Sequence, residues 1–139
     1  DIEAQRNSTQ IQVDMADDLP RIVVDRIMIE QVLLNLVKNA IEAMSDVPVE
    51  RRRLTISAHE VDGRMLEIAV TDQGHGIDEA DAERIFAPFY TTKAEGMGIG
   101  LAICRSIIEF HQGRLWVEPR RDGGTIFRFT VPIEEESDE

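Results

Sequence analysis

Residues 33–44 read LLNLVKNAIEAM. Leu33, Leu34, Leu36, Val37, Ala40 and Ile41 make most of this stretch read as the buried stripe of a helix. Inside the stripe stand Asn35 and Asn39, one turn apart, and Gln31 and Glu42 extend them into a single polar ridge. A solvated helix face ordinarily carries Lys and Glu, which form helix better than Asn does. An amide buried without partners costs roughly 2 kcal/mol or more. Either the ridge simply faces water, or the two amides are ligands for something wet and charged.

Working outward, Asp25 suits the N-cap of this helix, which runs to about Met44 and is ended by "SDVP". Upstream, "QIQVDM" alternates as a strand, and "RIVVD" after Pro20 is a second short extended run. Downstream, "RLTISAHE", the turn "VDG" and "RMLEIAVTD" make a hairpin. "DEADAERIF" is expected as a short capped helix and "IGLAICRSIIEFH" as a longer one stopping near Gly113. "RLWVE" and "TIFRFTVP" close the chain as two further strands. Strands outnumber helices and include adjacent hairpins, which predicts an α+β fold: a mixed, mostly antiparallel sheet with helices on one face.

The chain has 139 residues, of which 42% are hydrophobic and 30% charged, enough for one domain with a real core. Fifteen Lys and Arg against 27 Asp and Glu give a net charge of −12, which disfavours nucleic acid and anionic membrane surfaces as partners. No apolar run approaches the roughly 18 residues of a bilayer span. The single cysteine, Cys104, excludes an internal disulfide, fits a reducing compartment, and among Ile103, Ile107 and Ile108 reads as a buried small hydrophobe. An anionic ligand would need local help from a metal ion, a lysine or a helix N-terminus.

Three further stretches carry chemistry. In the strand before "DQGHGI" (residues 72–77), Leu66, Ile68 and Val70 share one face, and that phase turns Asp72 toward the core. An inward carboxylate needs a donor, for which an exocyclic amine would serve, and Gly74 and Gly76 allow a tight turn and close approach of a flat ligand. "GMGIGL" (residues 96–101) precedes a helix, where free backbone N–H groups favour phosphate. It is neither a dinucleotide-binding fingerprint nor a P-loop. In "GGTIFRF" (residues 123–129), Thr125 is in register with Phe127 and Phe129, so its hydroxyl points inward like Asp72; Gly123 and Gly124 equally suit a hairpin turn.

In this order and spacing these motifs resemble the ATP-binding domain of sensor histidine kinases, within the gyrase, heat-shock chaperone, histidine kinase and mismatch-repair ATPase superfamily. "EQVLLNLVKNAIEAM" is similar to the N box, "DQGHGI" to the G1 box and "IFAPFYTTK" to the F box. "GMGIGLAI" is similar to the G2 box and "GGTIFRF" to the G3 box. The similarity spans residues 10–132, with 133–139 an acidic tail, and is nearest to the oxygen-sensing and nitrogen-regulatory kinases. It implies a Bergerat-type, left-handed βαβ sandwich holding ATP and Mg2+ under a lid. Asn39 matches the Mg2+ ligand and Asn35 the amide beside the triphosphate. Asp72 matches the carboxylate that accepts from the adenine amine, with Ala43, Gly74, Gly76, Ile77 and Thr125 around the nucleotide. Thr91, Thr92, Lys93, Gly96, Met97, Gly98, Ile99, Gly100 and Leu101 match the lid and its phosphate-facing glycines.

The resemblance further implies transfer of the γ-phosphoryl group to a histidine on a separate dimerisation domain, followed by a response regulator receiver domain. The full kinase would be a cytoplasmic homodimer and the isolated domain a monomer. Hydrolytic relatives carry a glutamate where this chain has Asn35, and an amide is no general base. His59, His75 and His111 lack the setting of a phosphoacceptor, so residues 1–139 read as the catalytic half alone. Many relatives place Lys or Arg three residues after the metal-binding Asn, where this chain has Glu42; Lys93 is the expected replacement, with Lys38 a lesser candidate. Phe86 and Phe89 are expected to anchor the lid, residues 90–98 to be mobile without nucleotide, and Trp116, out of phase with Leu115 and Val117, to cover an edge or meet a partner.

Overall fold

The computed structural model describes residues 9–15, 18–74, 76–87, 100–120 and 123–134. Five strands form one sheet: β1 (Gln10–Met15), β2 (Arg53–Val61), β3 (Met65–Thr71), β4 (Leu115–Pro119) and β5 (Thr125–Pro132), in the spatial order β1-β2-β3-β5-β4. β1 runs parallel to β2 and the other pairs are antiparallel. A parallel pair needs a crossover, and helix α1 (Arg26–Ala43) supplies it; helix α2 (Gly100–Phe110) precedes β4. Strict alternation sends Leu54, Leu66, Ile68, Val70, Phe127, Phe129 and Val131 to one sheet face. There they share a single apolar core with Val32, Leu36 and Ile41 of α1 and Cys104 and Ile108 of α2. The α+β sandwich with helices on one face is the architecture that the sequence predicts.

α1 starts where expected. Asp25 Oδ1 accepts from the Met28 N–H at 3.1 Å, one of the donors a helix leaves orphaned at its start. The Asp25 N–H in turn donates to His111 Nε2 at 2.9 Å, while His111 Nδ1 lies 2.8 Å from the Ile107 carbonyl. With Nε2 accepting, the ring proton sits on Nδ1 and is donated to Ile107. The ring thereby bolts the beginning of α1 to the end of α2, so the helices run antiparallel.

Two local expectations give way. "RIVVD" forms no strand: Ile22 makes an isolated bridge to Ile133, and the Glu134 N–H reaches the Arg21 carbonyl at 2.7 Å. "DEADAERIF" forms two 3-10 turns, Glu79–Asp81 and Arg84–Phe86, in place of one capped helix. So short a helix is marginal by itself, and the path is set instead by burial of Phe86, which stands edge-on to Phe127 with ring centroids 6.3 Å apart. Phe86 is thus a core residue, with the Arg105 guanidinium 5.0 Å from its ring; Phe89 lies outside the described residues. Trp116 lies on the sheet face opposite the helices, its Nε1 donating to Glu118 and its ring under the Arg114 guanidinium.

Candidate functional site

The polar ridge of α1 divides along its length. Gln31 and Glu42 are exposed, whereas Asn35 and Asn39 are half-buried, so the two amides sit at the margin between core and solvent. Asn35 Nδ2 donates to Cys104 Sγ of α2 at 3.5 Å. Sequence reading treats Asn35 as a nucleotide neighbour and Cys104 as a plain hydrophobe; the packing of α1 on α2 joins them. The thiol has no exposed surface, and burial pushes its pKa above the usual 9.0, against a smaller opposing effect of the Asn35 amide. It is a buried acceptor that engages the Asn35 amide nitrogen.

Asp72, one residue past β3, is 1% exposed. Its Oδ1 accepts from Gly74 N at 2.8 Å and Thr125 N at 3.2 Å, and its own N–H donates to the Thr125 carbonyl at 3.0 Å. Strand phase predicts both residues inward, and both are: Thr125 is 6% exposed. Two backbone donors therefore orient the carboxylate. Gly76 adopts φ +82°, as a tight turn requires, and Ile77 packs beside the core. Gly74 is needed for a different reason than conformation. A Cβ there would lie 2.5 Å from the Ala43 carbonyl, so the turn after β3 is pressed against the last turn of the asparagine helix. Ala43, Asn39 and Asp72 are brought to one region by that contact.

Gly100 and Leu101 open α2, both half-buried. Thr91, Thr92, Lys93, Gly96, Met97, Gly98 and Ile99 lie outside the described residues, as does His75; so does the expectation for segment 90–98. Lys38 is exposed. Among the described residues no group of three or more His, Cys, Asp and Glu is placed to hold a metal, and Asn39 offers a neutral oxygen donor. The Asn39 amide fits a hard ion such as Mg2+ in that respect. No helix among the described residues is long and apolar enough to cross a membrane. One contributor escaped sequence reading altogether: Arg120, whose Nη1 donates to the Asp72 carbonyl at 3.3 Å.

Comparison with known proteins identifies the family to which this fold belongs. Residues 24–135 match the family model of the histidine kinase-, DNA gyrase B- and HSP90-like ATPases. Over 118 residues the chain is 48% identical to the C4-dicarboxylate transport sensor protein DctS of Rhodobacter capsulatus, covering 85% of this chain and 18% of that protein. It is 40% identical over 134 residues to the sensor protein FixL of Bradyrhizobium diazoefficiens, covering 96% of this chain and 26% of that one. The chain thus spans about a quarter or less of these relatives. The nucleotide-free catalytic domain of histidine kinase ThkA superposes with a TM-score of 0.81 at 35% identity, covering 95% of this chain and 84% of that one. ThkA in complex with response regulator protein TrrA gives 0.78 at 34%, covering 96% and 36%. Full-length ShkA in complex with AMPPNP gives 0.83 at 26%, covering 98% and 28%. The chain belongs to the histidine kinase-, DNA gyrase B- and HSP90-like ATPase family, on the side of the sensor histidine kinases.

Proposed function

We propose that the chain binds Mg-ATP between the amide ridge of α1 and the inner end of β3, and passes the γ-phosphoryl group to a histidine on a separate helical dimerisation domain. The observation that carries this reading is Asp72: a carboxylate 1% exposed, oriented by two backbone N–H groups, at the foot of the asparagine helix. It accepts from the adenine amine, beside Gly76, Ile77 and Thr125. Asn39 would hold Mg2+, which when bound screens the charge of the phosphates; Lys93 and the glycines of Gly96–Leu101 would supply further phosphate contacts.

In the transfer, the bond from the γ-phosphorus to the β,γ-bridging oxygen breaks and a bond to an imidazole nitrogen forms, with ADP as leaving group. Such a reaction asks the protein chiefly for positioning and charge stabilisation. Asn35 offers no base for water, which argues against a hydrolytic clamp. Nor do the described histidines offer a nucleophile. Both ring nitrogens of His111 are engaged between the helices, and His59 faces Glu67 at 3.3 Å from within a strand. The acceptor in this reading is a histidine elsewhere in a longer kinase, of which this chain is the catalytic domain. That kinase is a cytoplasmic homodimer whose phosphohistidine serves a response regulator.

Four exposed apolar residues on the helix pair support docking of the dimerisation domain. Ile27 and Leu34 are seven residues apart on α1, Ile103 and Phe110 seven apart on α2, and all four are exposed. Leu34 and Ile103 each precede a member of the Asn35–Cys104 contact. In an antiparallel pair those positions project to the same side, away from the sheet. A heptad-spaced apolar stripe of this kind accepts an amphipathic helix, as the dimerisation domain would provide.

The test supplies such a domain with ATP labelled at the γ-phosphate. Label is expected on its histidine. Asn39→Ala is expected to lower Mg-dependent ATP affinity about 10- to 100-fold, whereas Phe110→Asp is expected to abolish transfer and leave ATP affinity unchanged. Absence of label on histidine with the unaltered chain would refute the kinase reading.

A further inference from the structure

We propose that Arg120 is a positioning residue for the purine end of the site, holding Asp72 by its backbone while its side chain carboxylate does the recognition. This rests on the nucleotide reading above. The Arg120 N–H donates to the Gly124 carbonyl at 3.1 Å, and the Arg120 carbonyl accepts from Gly123 N at 3.2 Å. The β4–β5 turn thereby fixes where the guanidinium starts. From there Nη1 crosses to the end of β3 and donates to the Asp72 carbonyl at 3.3 Å. Gly124 makes the approach possible, because a Cβ at that position would run into the same carbonyl.

Asp72 is therefore held at three places. Its N–H and Oδ1 are paired with Thr125, its Oδ1 also with Gly74, and its carbonyl with Arg120. The third holds the Asp72–Gln73 peptide by its oxygen, while the Gln73 N–H on the same peptide donates to Met44 Sδ at 3.4 Å. A carboxylate that must meet one exocyclic amine works within a few tenths of an ångström and a limited angle. Loss of the brace leaves that peptide to the weaker sulfur acceptor and loosens the backbone that carries the carboxylate, and the cost falls on the amine hydrogen bond rather than on the phosphates, which bind at the far end of the nucleotide.

Two nucleotides separate this role from ordinary structural support. Purine riboside triphosphate carries hydrogen where ATP has its amine, so only ATP uses Asp72 fully. In calorimetric titrations with Mg2+, the unaltered chain is expected to bind ATP more tightly than the purine analogue. Arg120→Ala is expected to lower ATP affinity about 3- to 10-fold and to leave the analogue unchanged, so that the preference largely disappears. Arg120→Lys, which keeps one charged donor, is expected to restore part of it, and thermal melts report whether each variant is folded. Equal losses for both nucleotides, or an unchanged preference in both variants, would overturn the role of Arg120. An unaltered chain that shows no preference would overturn the pairing of Asp72 with the amine instead, and one that binds neither nucleotide would overturn the site itself.

Discussion

Asp72→Asn is expected to weaken ATP binding roughly 10- to 100-fold while leaving the fold intact. Asparagine keeps an oxygen that can accept from Gly74 N and Thr125 N, the two donors now 2.8 and 3.2 Å from Oδ1. What it loses is the second acceptor: an NH2 group replaces the carboxylate oxygen and meets the adenine amine donor to donor. A hydrogen bond to a charged acceptor contributes about 1.5–3 kcal/mol, and a buried donor left opposite another adds to the loss. Asp72→Ala behaves differently, because it strands the two backbone donors and is expected to reduce stability by about 2–5 kcal/mol as well. Calorimetry with ATP and purine riboside triphosphate, beside urea titrations, separates the two effects. An ATP affinity unmoved by Asp72→Asn would remove this carboxylate from adenine recognition.

How far the sequence reveals such a site depends on the range of the interactions that build it. Period-two alternation is local, so Leu66, Ile68 and Val70 announce that Asp72 points inward, and Phe127 and Phe129 do the same for Thr125; both are buried. Helical spacing is equally local, and α1 begins at its Asp25 cap as the sequence predicts. The misreadings fall where local preference is weak. "DEADAERIF" has helix-forming residues but too few for a stable helix, and the burial of Phe86 decides its shape. "RIVVD" has β-branched residues, yet meets its partner at Ile133 through a single bridge. The contacts that complete the site join residues far apart in the chain: Asn35 with Cys104, Asp25 with His111, Arg120 with Asp72. No periodicity encodes these, because each depends on how one finished element packs on another. Gly74 shows the same limit. Its type suggests a turn, but the reason for it is the Ala43 carbonyl of a helix 31 positions earlier.

The adjacent glycines of the β4–β5 turn allow packing and backbone conformation to be measured separately. Gly123 and Gly124 have nearly the same φ, +94° and +99°, a region that side-chain-bearing residues rarely enter. Alanine at either position therefore carries a similar conformational cost of about 1–3 kcal/mol. Their surroundings differ. A Cβ at Gly123 meets nothing within 4 Å, whereas one at Gly124 collides with the Asp72 carbonyl and comes within 3.2 Å of Gln73 Cα. These are backbone atoms at the end of a sheet strand and cannot swing aside as a flexible side chain would, which adds about 1–3 kcal/mol of overpacking. Gly124→Ala is thus expected to lose roughly 2–6 kcal/mol against about 1–3 for Gly123→Ala. From a typical total of about 5–15 kcal/mol, the larger loss brings a marginal domain near unfolding at 37 °C. Urea titrations give both values directly. Where Gly124→Ala remains folded, its ATP affinity is also expected to fall, since whatever displaces the Asp72 carbonyl moves the carboxylate and breaks the Arg120 bond; Gly123→Ala is expected to bind ATP normally. Equal stability losses at the two positions would mean that the close approach of Gly124 to Asp72 does not exist in solution, and the purine wall would then lack the support that the turn is argued to give it.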